Sequence, residues 1–337
     1  MRQMDLTLAT VSSFSEDQAR ETFERIRWPN GPICPQCGSV ENITKFRPPS
    51  EREQTPSGGA RAGVFKCNAC GSQFTVTVNT VMESSHIPMR LWLMAFTIMC
   101  SAKKGISALQ MQRQLGIGSY RTAWFLCHRI REAKKREPVA SLLKGTVEAD
   151  ETYVGGKPRK AAGPSRGTGE PRKRQRRGGG RSTQHKTPVV ALVEREGKRS
   201  VAKPTIDATS QTLAPILRAH IDKGATLMTD AWRGYILVGR DFEGGHHRVD
   251  HGSGEYVRGE AHVNTAESFF ALLKRGIVGS FHHVSPEHLH RYCDEFSFRW
   301  SYRDVKDSER AVIAIKQAEG KRLTYKQPKD TGGLPVL

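Results

Sequence analysis

The sequence predicts a mixed α/β protein in which a small cysteine-rich module precedes a larger α/β domain. Three observations support this organisation. Two CxxC pairs lie within residues 31–83, a helical pattern occupies residues 84–140, and strand and helix patterns alternate from residue 145 onwards. A chain of 337 residues is long enough for two or three domains of this kind.

The proposed boundaries follow changes in residue pattern along the chain. Residues 14–28 carry acids early and apolar side chains at helical spacing, so residues 1–30 are predicted to form an N-terminal helix. The remaining segments are the cysteine-rich module at 31–83, the helical segment at 84–140, the α/β domain at 145–305 with an insertion at 157–186, and a C-terminal tail at 306–337.

The paired cysteines predict a structural zinc site. Cys34 and Cys37 form one CxxC pair, and Cys67 and Cys70 form a second pair after 29 intervening residues. Four thiolates close a tetrahedral Zn²⁺ site and leave no open position for catalysis. Gly and Pro near the cysteines favour the tight turns of a zinc ribbon over a redox CxxC. We therefore expect one structural Zn²⁺ in residues 31–83.

The helical segment has the layout of a helix-turn-helix. One helix is expected to end near Leu115, a turn follows at residues 116–118, and a second helix starts at about Ser119. The preceding apolar run, residues 91–100, is too short to cross a bilayer and fits a buried helix. The segment is therefore a candidate DNA-binding unit, although many helical hairpins share this pattern.

The α/β domain is predicted from eight alternating elements. Their order is βββαβαβα, which is the order of a ribonuclease-H-like domain. The second and third strands are separated by a short Gly turn and predict a hairpin. The strands are expected at 146–156, 188–195, 198–206, 225–230 and 246–251, and the helices at 210–222, at 231–239 and from about residue 264.

The charge of the chain indicates a polyanionic partner. The formal net charge is +19 and the pI is about 9.9, and nucleic acid is the usual partner of so basic a protein. The insertion at 157–186 holds eleven Lys or Arg against one acid, Glu170. Its candidate DNA-binding residues are Arg172, Lys173, Arg174, Arg176 and Arg177. With no signal peptide in the first twenty residues, a cytoplasmic, nucleoid-associated protein is expected.

Three acids fall at related positions of the predicted α/β domain. Asp150 lies in the first strand, Asp230 ends the fourth, and Glu267 lies in the first turn of the helix after the fifth. In a ribonuclease-H-like domain, these positions meet at one end of the sheet. Converging carboxylates suit two Mg²⁺ (or Mn²⁺) ions, which stabilise charge on both oxygens of a phosphodiester displacement. Asp150, Asp230 and Glu267 are therefore the candidate catalytic metal ligands.

Each acid also has a simpler interpretation, which stays open at this stage. Asp230 could cap a helix from residue 231, and Asp150 could be a surface acid. Glu267 follows Asn264 by three residues, which is the spacing of a capping-box variant. Asn264 is also a rival for the third metal position. Glu151 should point to the opposite sheet face from Asp150.

Two cations follow Glu267 on the same predicted helix. Lys274 lies seven residues after Glu267, or about two helical turns, and therefore on the same face. A cation at that position could hold a DNA phosphate near the metals, and Arg275 could add a backbone contact. The alternative for Lys274 is an ordinary exposed lysine.

Three stretches carry a family resemblance. They are VEADETYVGGK, TDAWRGY and the region from His262 to Arg303 that begins HVNTAESFFALLKRG. They resemble the zinc-ribbon DDE transposases of bacterial insertion sequences (insertion sequence family fifteen ninety-five), and the resemblance extends from about Cys34 to Arg303. It implies a catalytic triad of Asp150, Asp230 and Glu267 with Lys274 as the trailing lysine.

The resemblance implies a DNA transposase that cleaves strands at the ends of its element. The freed 3′-hydroxyl would then attack target DNA. The expected partners are terminal inverted repeats, target DNA and, in the synaptic complex, at least one more copy of the chain. Two alternatives remain: a zinc-ribbon DNA-binding regulator without catalysis, and a ribonuclease-H-like nuclease that only hydrolyses. No nucleotide cofactor is expected.

Overall fold

A computed structural model describes residues 6–46, 63–135, 141–155, 186–250 and 257–325. The described residues form two compact units. The first contains residues up to 135 together with 302–325, and the second contains residues 141–301. Within the described residues, no helix is long and apolar enough to cross a membrane.

The first unit is built from helices and a small antiparallel sheet. The expected N-terminal helix is two helices, and the second begins with a capping box formed by Ser15 and Gln18. The apolar run at 91–100 lies in a largely buried helix, as expected. The elements are α1 (Leu8–Ser12), α2 (Glu16–Arg27), β1 (Ile43–Lys45), β2 (Phe65–Cys67), β3 (Gln73–Phe74), α3 (Met89–Ser101), α4 (Ala108–Leu115), α5 (Tyr120–Lys134) and α9 (Asp307–Lys316).

The helix-turn-helix pattern matches the observed helices. Helix α4 ends at Leu115, and Gly116 follows in the left-handed conformation with φ of 64°. Glycine adopts that conformation without the steric cost that a Cβ imposes. Helix α5 then begins at Tyr120. The two helices are therefore separated by a short turn at the predicted position.

The segment described above as a C-terminal tail contains helix α9. Ala311, Ala314 and Ile315 are buried on one side of this helix, and Arg310 Nη1 donates a 2.8 Å hydrogen bond to the carbonyl of Cys100 at the end of α3. Burial of these apolar side chains explains why the segment is helical and belongs to the first unit.

The second unit contains one five-stranded sheet. Its strands follow the predicted order along the chain, and the sheet order is β6-β5-β4-β7-β8. Strands β4, β5 and β6 pair antiparallel, whereas β7 pairs parallel with both β4 and β8. The elements are β4 (Thr146–Val154), β5 (Thr187–Glu194), β6 (Ser200–Pro204), α6 (Ser210–His220), β7 (Thr226–Asp230), β8 (His246–Val249), α7 (Asn264–Gly276) and α8 (Pro286–Ser301).

Two apolar layers cover the two faces of this sheet. Along β5, Val189, Ala191 and Val193 pack into the core beneath α7 and α8. The alternate residues Val190 and Leu192 pack into the core beneath α6. Side chains of a strand alternate between faces, so a strand covered on both sides is apolar throughout. This double burial explains the uninterrupted run PVVALV.

One predicted helix has a different form. Residues 231–239 were expected to form a short α-helix, and the structure has two 3₁₀ turns there, Arg233–Tyr235 and Val238–Asp241. Gly234 lies within the first turn, where an added Cβ would come within 2.9 Å of the Ala208 carbonyl oxygen, just before α6. The close approach of the chain at Gly234 favours a tighter connection than an α-helix.

Candidate active site

Asp150 and Asp230 lie side by side on parallel strands. The pairing of β4 with β7 ends with Ala149 opposite Thr229, and the two aspartates are the next residues of their strands. The side chains of β4 alternate, and Val154 packs beneath α7 whereas Ala149 packs beneath α6. Asp150 therefore faces the α7 side of the sheet.

The charge around Asp150 is unusual for a carboxyl group. Burial, with further contributions from neighbouring carboxylates, raises the pKa of Asp150 to about 8. The carboxylates that raise it are Glu151, Asp230 and Glu267, while a hydrogen bond from the Glu151 amide acts in the opposite direction. Glu267 on α7 is thus within electrostatic range of Asp150.

Asp230 also has the local role that the sequence allowed. Its Oδ1 accepts a 2.9 Å hydrogen bond from the amide of Trp232, as an aspartate at the start of a turn commonly does. The bond orients the carboxylate at the end of β7. The capping and metal-binding interpretations of Asp230 are therefore compatible.

Glu151 points away from Asp150 across the sheet, as strand alternation predicts. Its Oε2 accepts a 2.9 Å hydrogen bond from the hydroxyl of Tyr235, which is fully buried in the core beneath α6. Burial, together with the charge of Glu151, raises the pKa of Tyr235 well above its ordinary value. The phenol therefore stays protonated and keeps donating to Glu151.

The predicted capping of α7 by Asn264 is wrong. The N-cap position belongs to Val263, Asn264 is the first helical residue, and no side chain of the cap residue bonds to the helix. Two of the free amides of the first turn donate to Glu148 of β4. Its Oε2 accepts from the amides of Thr265 at 2.8 Å and Ala266 at 2.9 Å.

Glu148 was not singled out by the sequence analysis. It lies two residues before Asp150 and therefore on the same face of β4, and its side chain is fully buried. The available signal was an acid within the apolar start of a strand, where a buried charge requires partners. Those partners come from residues more than 40 positions away, which local pattern does not reveal.

The donor set at the acids suits a hard divalent cation. Carboxylate oxygens are the ligands that Mg²⁺ prefers, and a bound cation would offset the repulsion that raises the pKa of Asp150. Among the described residues, only the four paired cysteines bring three or more potential ligand atoms within 4.8 Å of one another. The three acids are thus more widely spaced than ligands of a single compact ion.

The four cysteines form the expected zinc-ribbon cluster. The Sγ atoms of Cys34 and Cys70 lie 3.7 Å apart, as do those of Cys37 and Cys67. Four sulfurs placed tetrahedrally at the Zn–S distance of about 2.3 Å would be about 3.8 Å apart. The hydroxyl and amide of Ser72 lower the pKa of Cys70 to about 6, which favours the thiolate.

Both cysteine pairs are shaped by equivalent turns. Gly38 and Gly71 each have a φ of 74°, a conformation that favours glycine. In each turn, the first cysteine donates to the residue five positions later and the glycine donates back to that cysteine. The bonds are Cys34 N to Ser39 O, Gly38 N to Cys34 O, Cys67 N to Ser72 O and Gly71 N to Cys67 O.

Comparison with known proteins identifies two family domains in the chain. Residues 142–301 match the ISXO2-like transposase domain, and residues 14–73 match the transposase zinc-ribbon domain. A protein from Halobacterium salinarum, described as an uncharacterized protein in transposable element ISH50, is 31% identical over 291 residues. The alignment covers 85% of this chain and 90% of that protein. The chain belongs to the ISXO2-like transposase family. It carries a DDE transposase domain and a zinc ribbon with a structural Zn²⁺ site.

The trailing cations of this transposase lie on the outer part of α7. Lys274 is exposed, and no hydrogen bond or ion pair involves its side chain within the described ranges. Arg275 is also exposed, and its Nε donates to the carbonyl of Ala271 at 3.1 Å. The five basic residues predicted in the insertion, together with all of 156–185, lie outside the described residues.

A basic pocket opens beside the end of β7 in the transposase domain. It has a volume of about 420 Å³ and includes Ala231, the residue after Asp230. The backbones of Arg258 and Ala261 form a tight bridge at its wall. The remaining lining residues are His246, His247, Arg248, Val249 and Asp250. The lining thus includes two arginines, Arg248 and Arg258, next to a candidate metal ligand. Burial lowers the pKa of His246 to about 4, so its ring is neutral.

Proposed function

We propose that this transposase is a metal-dependent phosphoryl-transfer enzyme whose catalytic acids are Asp150, Asp230 and Glu267. The observation that carries the proposal is the shared electrostatic environment of the three acids. Asp230 and Glu267 both raise the pKa of Asp150, although the three belong to different elements. Clustered carboxylates with perturbed pKa values are typical of functional sites.

The domain is proposed to be ribonuclease-H-like. Numbered along the domain, its strand order is 3-2-1-4-5, with the first three strands antiparallel and the others parallel to the first. A helix then follows the fifth strand. This order brings the first and fourth strands together at the centre, where Asp150 and Asp230 lie.

The three acids would hold two Mg²⁺ or Mn²⁺ ions. When bound, the ions would stabilise charge on the attacking and leaving oxygens of the phosphodiester. Glu267 is preferred to Asn264 as the third ligand because its charge acts on Asp150 and because a carboxylate binds Mg²⁺ better than an amide does. Asp150 must lose its proton before it can act as a ligand.

The proposed reaction has two steps on DNA. Hydrolysis first breaks a P–O bond at the element end and leaves a 3′-hydroxyl. That hydroxyl oxygen then bonds to a target phosphorus, while the target P–O bond breaks and its leaving oxygen gains a proton. Asp150, Asp230 and Glu267 would hold the ions that stabilise the reacting phosphate, and Lys274 would bind a neighbouring phosphate.

DNA is proposed to be held by several basic surfaces. The pocket at β8 adjoins Asp230. Lys274, Arg275 and the basic insertion residues within 172–177 would add contacts to the DNA backbone. The zinc ribbon at 31–83 and the helix-turn-helix-like segment at 84–140 would bind the terminal inverted repeats. Pairing of two element ends requires at least a dimer in the working complex, which would act at the nucleoid.

The decisive experiment compares binding with joining. Purified Asp150→Asn and Asp230→Asn proteins should bind element-end DNA as the wild type does, and should neither cleave nor join it with Mg²⁺ or Mn²⁺. Strand transfer by either variant would refute the catalytic assignment. A wild-type protein that binds without cleaving under any metal would support the regulator, and cleavage without joining of 3′-hydroxyl ends would support the nuclease.

A further inference from the structure

Glu148 joins the strand that carries Asp150 to the helix that carries Glu267. Its Oε2 binds the amides of Thr265 and Ala266, which are the second and third residues of α7. Its Oε1 accepts from the hydroxyl of Thr265 at 2.8 Å. An N-cap side chain usually makes such bonds from the residue before a helix. Here they come from a residue 117 positions earlier.

Arg195 completes the connection. This residue follows directly after β5, and its Nε donates a 2.6 Å hydrogen bond to Oε1 of Glu148. Its two terminal nitrogens donate to the carbonyls of Glu260 at 2.9 Å and His262 at 2.8 Å. Arg195 therefore holds the loop that leads into α7 by hydrogen bonds to its backbone. Its charge also compensates the buried charge of Glu148.

Because Glu148 is buried, its carboxylate needs hydrogen-bond donors from the protein. The side chain of Glu148 has no solvent exposure, and the ring Nδ1 of His262 lies 3.2 Å from its Oε1. A buried carboxylate is tolerated only when its oxygens receive hydrogen bonds. Because the partners lie in the start of α7 and in Arg195, the carboxylate restricts where α7 can begin.

The consequence concerns Glu267. Glu267 is the fourth residue of α7, and its amide makes a 3.0 Å intrahelical bond to the Val263 carbonyl. Glu148 and Asp150 are two residues apart on one face of β4, a separation of about 7 Å. Strand β4 thus places the carboxylate of Glu148 under the start of α7. It places Asp150 next to Asp230, the second proposed catalytic acid.

We propose that Glu148, supported by Arg195, is a positioning residue that sets Glu267 relative to Asp150 and Asp230 for metal binding. This inference rests on the proposed function of the three acids. It assigns Glu148 no contact with metal or DNA. Glu148 would act on the position of Glu267 through the first turn of α7. Its removal is expected to weaken metal binding as the loss of a residue that orients a metal ligand does.

The test measures Mn²⁺ binding in the full-length, zinc-loaded protein. Electron paramagnetic resonance of free Mn²⁺ would give the affinity of the wild type, Glu148→Gln and Asp150→Asn. We expect Glu148→Gln to bind Mn²⁺ about 10- to 100-fold more weakly and to bind end DNA normally. Its joining activity should recover at least partly at high Mn²⁺ concentration, which a folding defect would not allow.

Glu194→Gln is the matched control. Glu194 is also a buried carboxylate of this sheet, 4% exposed, and accepts hydrogen bonds from Arg199 at 2.5 and 2.7 Å. It follows Val193, so its side chain lies on the face away from α7. We expect this variant to lose thermal stability without losing Mn²⁺ affinity. An equal loss of affinity in both variants would overturn the positioning role.

Arg195→Gln keeps the inference testable if Glu148→Gln does not fold. It leaves the bonds from Glu148 to α7 in place but releases the loop at residues 260–262, so we expect a smaller Mn²⁺ defect of the same kind. Wild-type Mn²⁺ affinity in every folded Glu148 and Arg195 variant would refute the inference, provided that Asp150→Asn is defective. If Asp150→Asn also binds Mn²⁺ and joins DNA normally, the proposed function itself fails.

Discussion

Asp150 and Asp230 directly follow the last paired residues, Ala149 and Thr229, of two adjacent parallel strands. The carboxyl groups are therefore neighbours in the sheet although 79 residues separate them in the chain. Burial and the surrounding negative charge raise the pKa of Asp150 to about 8. Repulsion of this kind destabilises a protein in the absence of a counter-ion.

Asp150→Asn should stabilise the protein when no Mg²⁺ is bound. A raised folded-state pKa means that the charged form of Asp150 opposes folding, so its cost is absent below the ordinary value of 3.8 and grows until pH passes about 8. We expect the variant to melt at least a few °C above the wild type at pH 8.5 and at a similar temperature near pH 4. Thermal denaturation in Mg²⁺-free buffer, without a chelator that would remove zinc, measures the difference. If the melting temperatures of wild type and variant changed in parallel with pH, the raised pKa of Asp150 would be contradicted.

Mg²⁺ should stabilise the wild type more strongly as pH rises. A ligand must lose its proton to bind a metal, and Asp150 remains largely protonated below a pKa of about 8. The shift in melting temperature at fixed Mg²⁺ concentration should therefore grow between pH 6 and pH 8.5. Asp150→Asn should show little shift at either pH. A wild-type shift that is independent of pH would place the Mg²⁺ elsewhere.

Glu267→Gln and Asn264→Ala should separate the two candidates for the third ligand. Loss of the Glu267 charge should reduce strand transfer more than the roughly 10- to 100-fold typical of residues that only orient a ligand. Asn264 is exposed and its side chain does not cap α7, so its removal should change the rate by about threefold at most. Gel analysis of joined products under saturating Mg²⁺ gives both rates. The reverse ranking would assign the position to Asn264.

Cys34→Ser should remove the structural zinc, whereas Cys100→Ala should not. Cys34 lies 3.7 Å from Cys70 in the four-cysteine cluster, and Cys100 is buried at the end of α3. Three remaining thiolates bind Zn²⁺ more weakly, and metal binding is coupled to folding of a ribbon. Elemental analysis should give one zinc per chain for the wild type and for Cys100→Ala. One tightly held zinc in Cys34→Ser would argue against the cluster.

Lys274→Ala should weaken DNA binding in a salt-dependent way. Lys274 lies on α7, two turns after Glu267, with its side chain exposed. Loss of one phosphate contact should lower the slope of log affinity against log salt by about one. Arg218→Ala is the control, because Arg218 lies on α6 across the sheet and pairs with Asp241. An identical change of slope in both variants would assign the effect to net charge.

The sequence predicted those structural features that depend on residues within a single element or turn. The eight predicted elements of the α/β domain follow the observed order, apart from the 3₁₀ turns at 233–241. The two CxxC pairs predicted the cysteine cluster, because the residues that form each tight turn of a zinc ribbon are adjacent in sequence. The helix-turn-helix boundaries at Leu115 and Gly116 were similarly local, since glycine alone adopts the required backbone conformation cheaply.

Helix α7 begins at Asn264 as expected, but its capping differs from the capping-box interpretation, and the cause is not local. Asn264 and Glu267 have capping-box spacing, but the cap position belongs to Val263, and the amide of Glu267 donates to the Val263 carbonyl. The amides of Thr265 and Ala266, the next two of the first turn, donate to Glu148. A carboxylate buried beneath the helix competes successfully because it has few other ways to satisfy its own oxygens. No pattern within residues 260–267 contains that information.

Residue types, spacing and element order predicted the three candidate acids, the four thiolates and the excess of positive charge. Strand pairing between distant segments decided that Asp150 adjoins Asp230, and packing of α7 on the sheet decided that Glu267 acts on the same group. Helix and strand periodicity is a property of neighbouring residues, whereas register and burial arise only when segments far apart in the chain share one core. That difference explains why the candidate acids could be proposed from sequence, whereas the contacts of Glu148 could not.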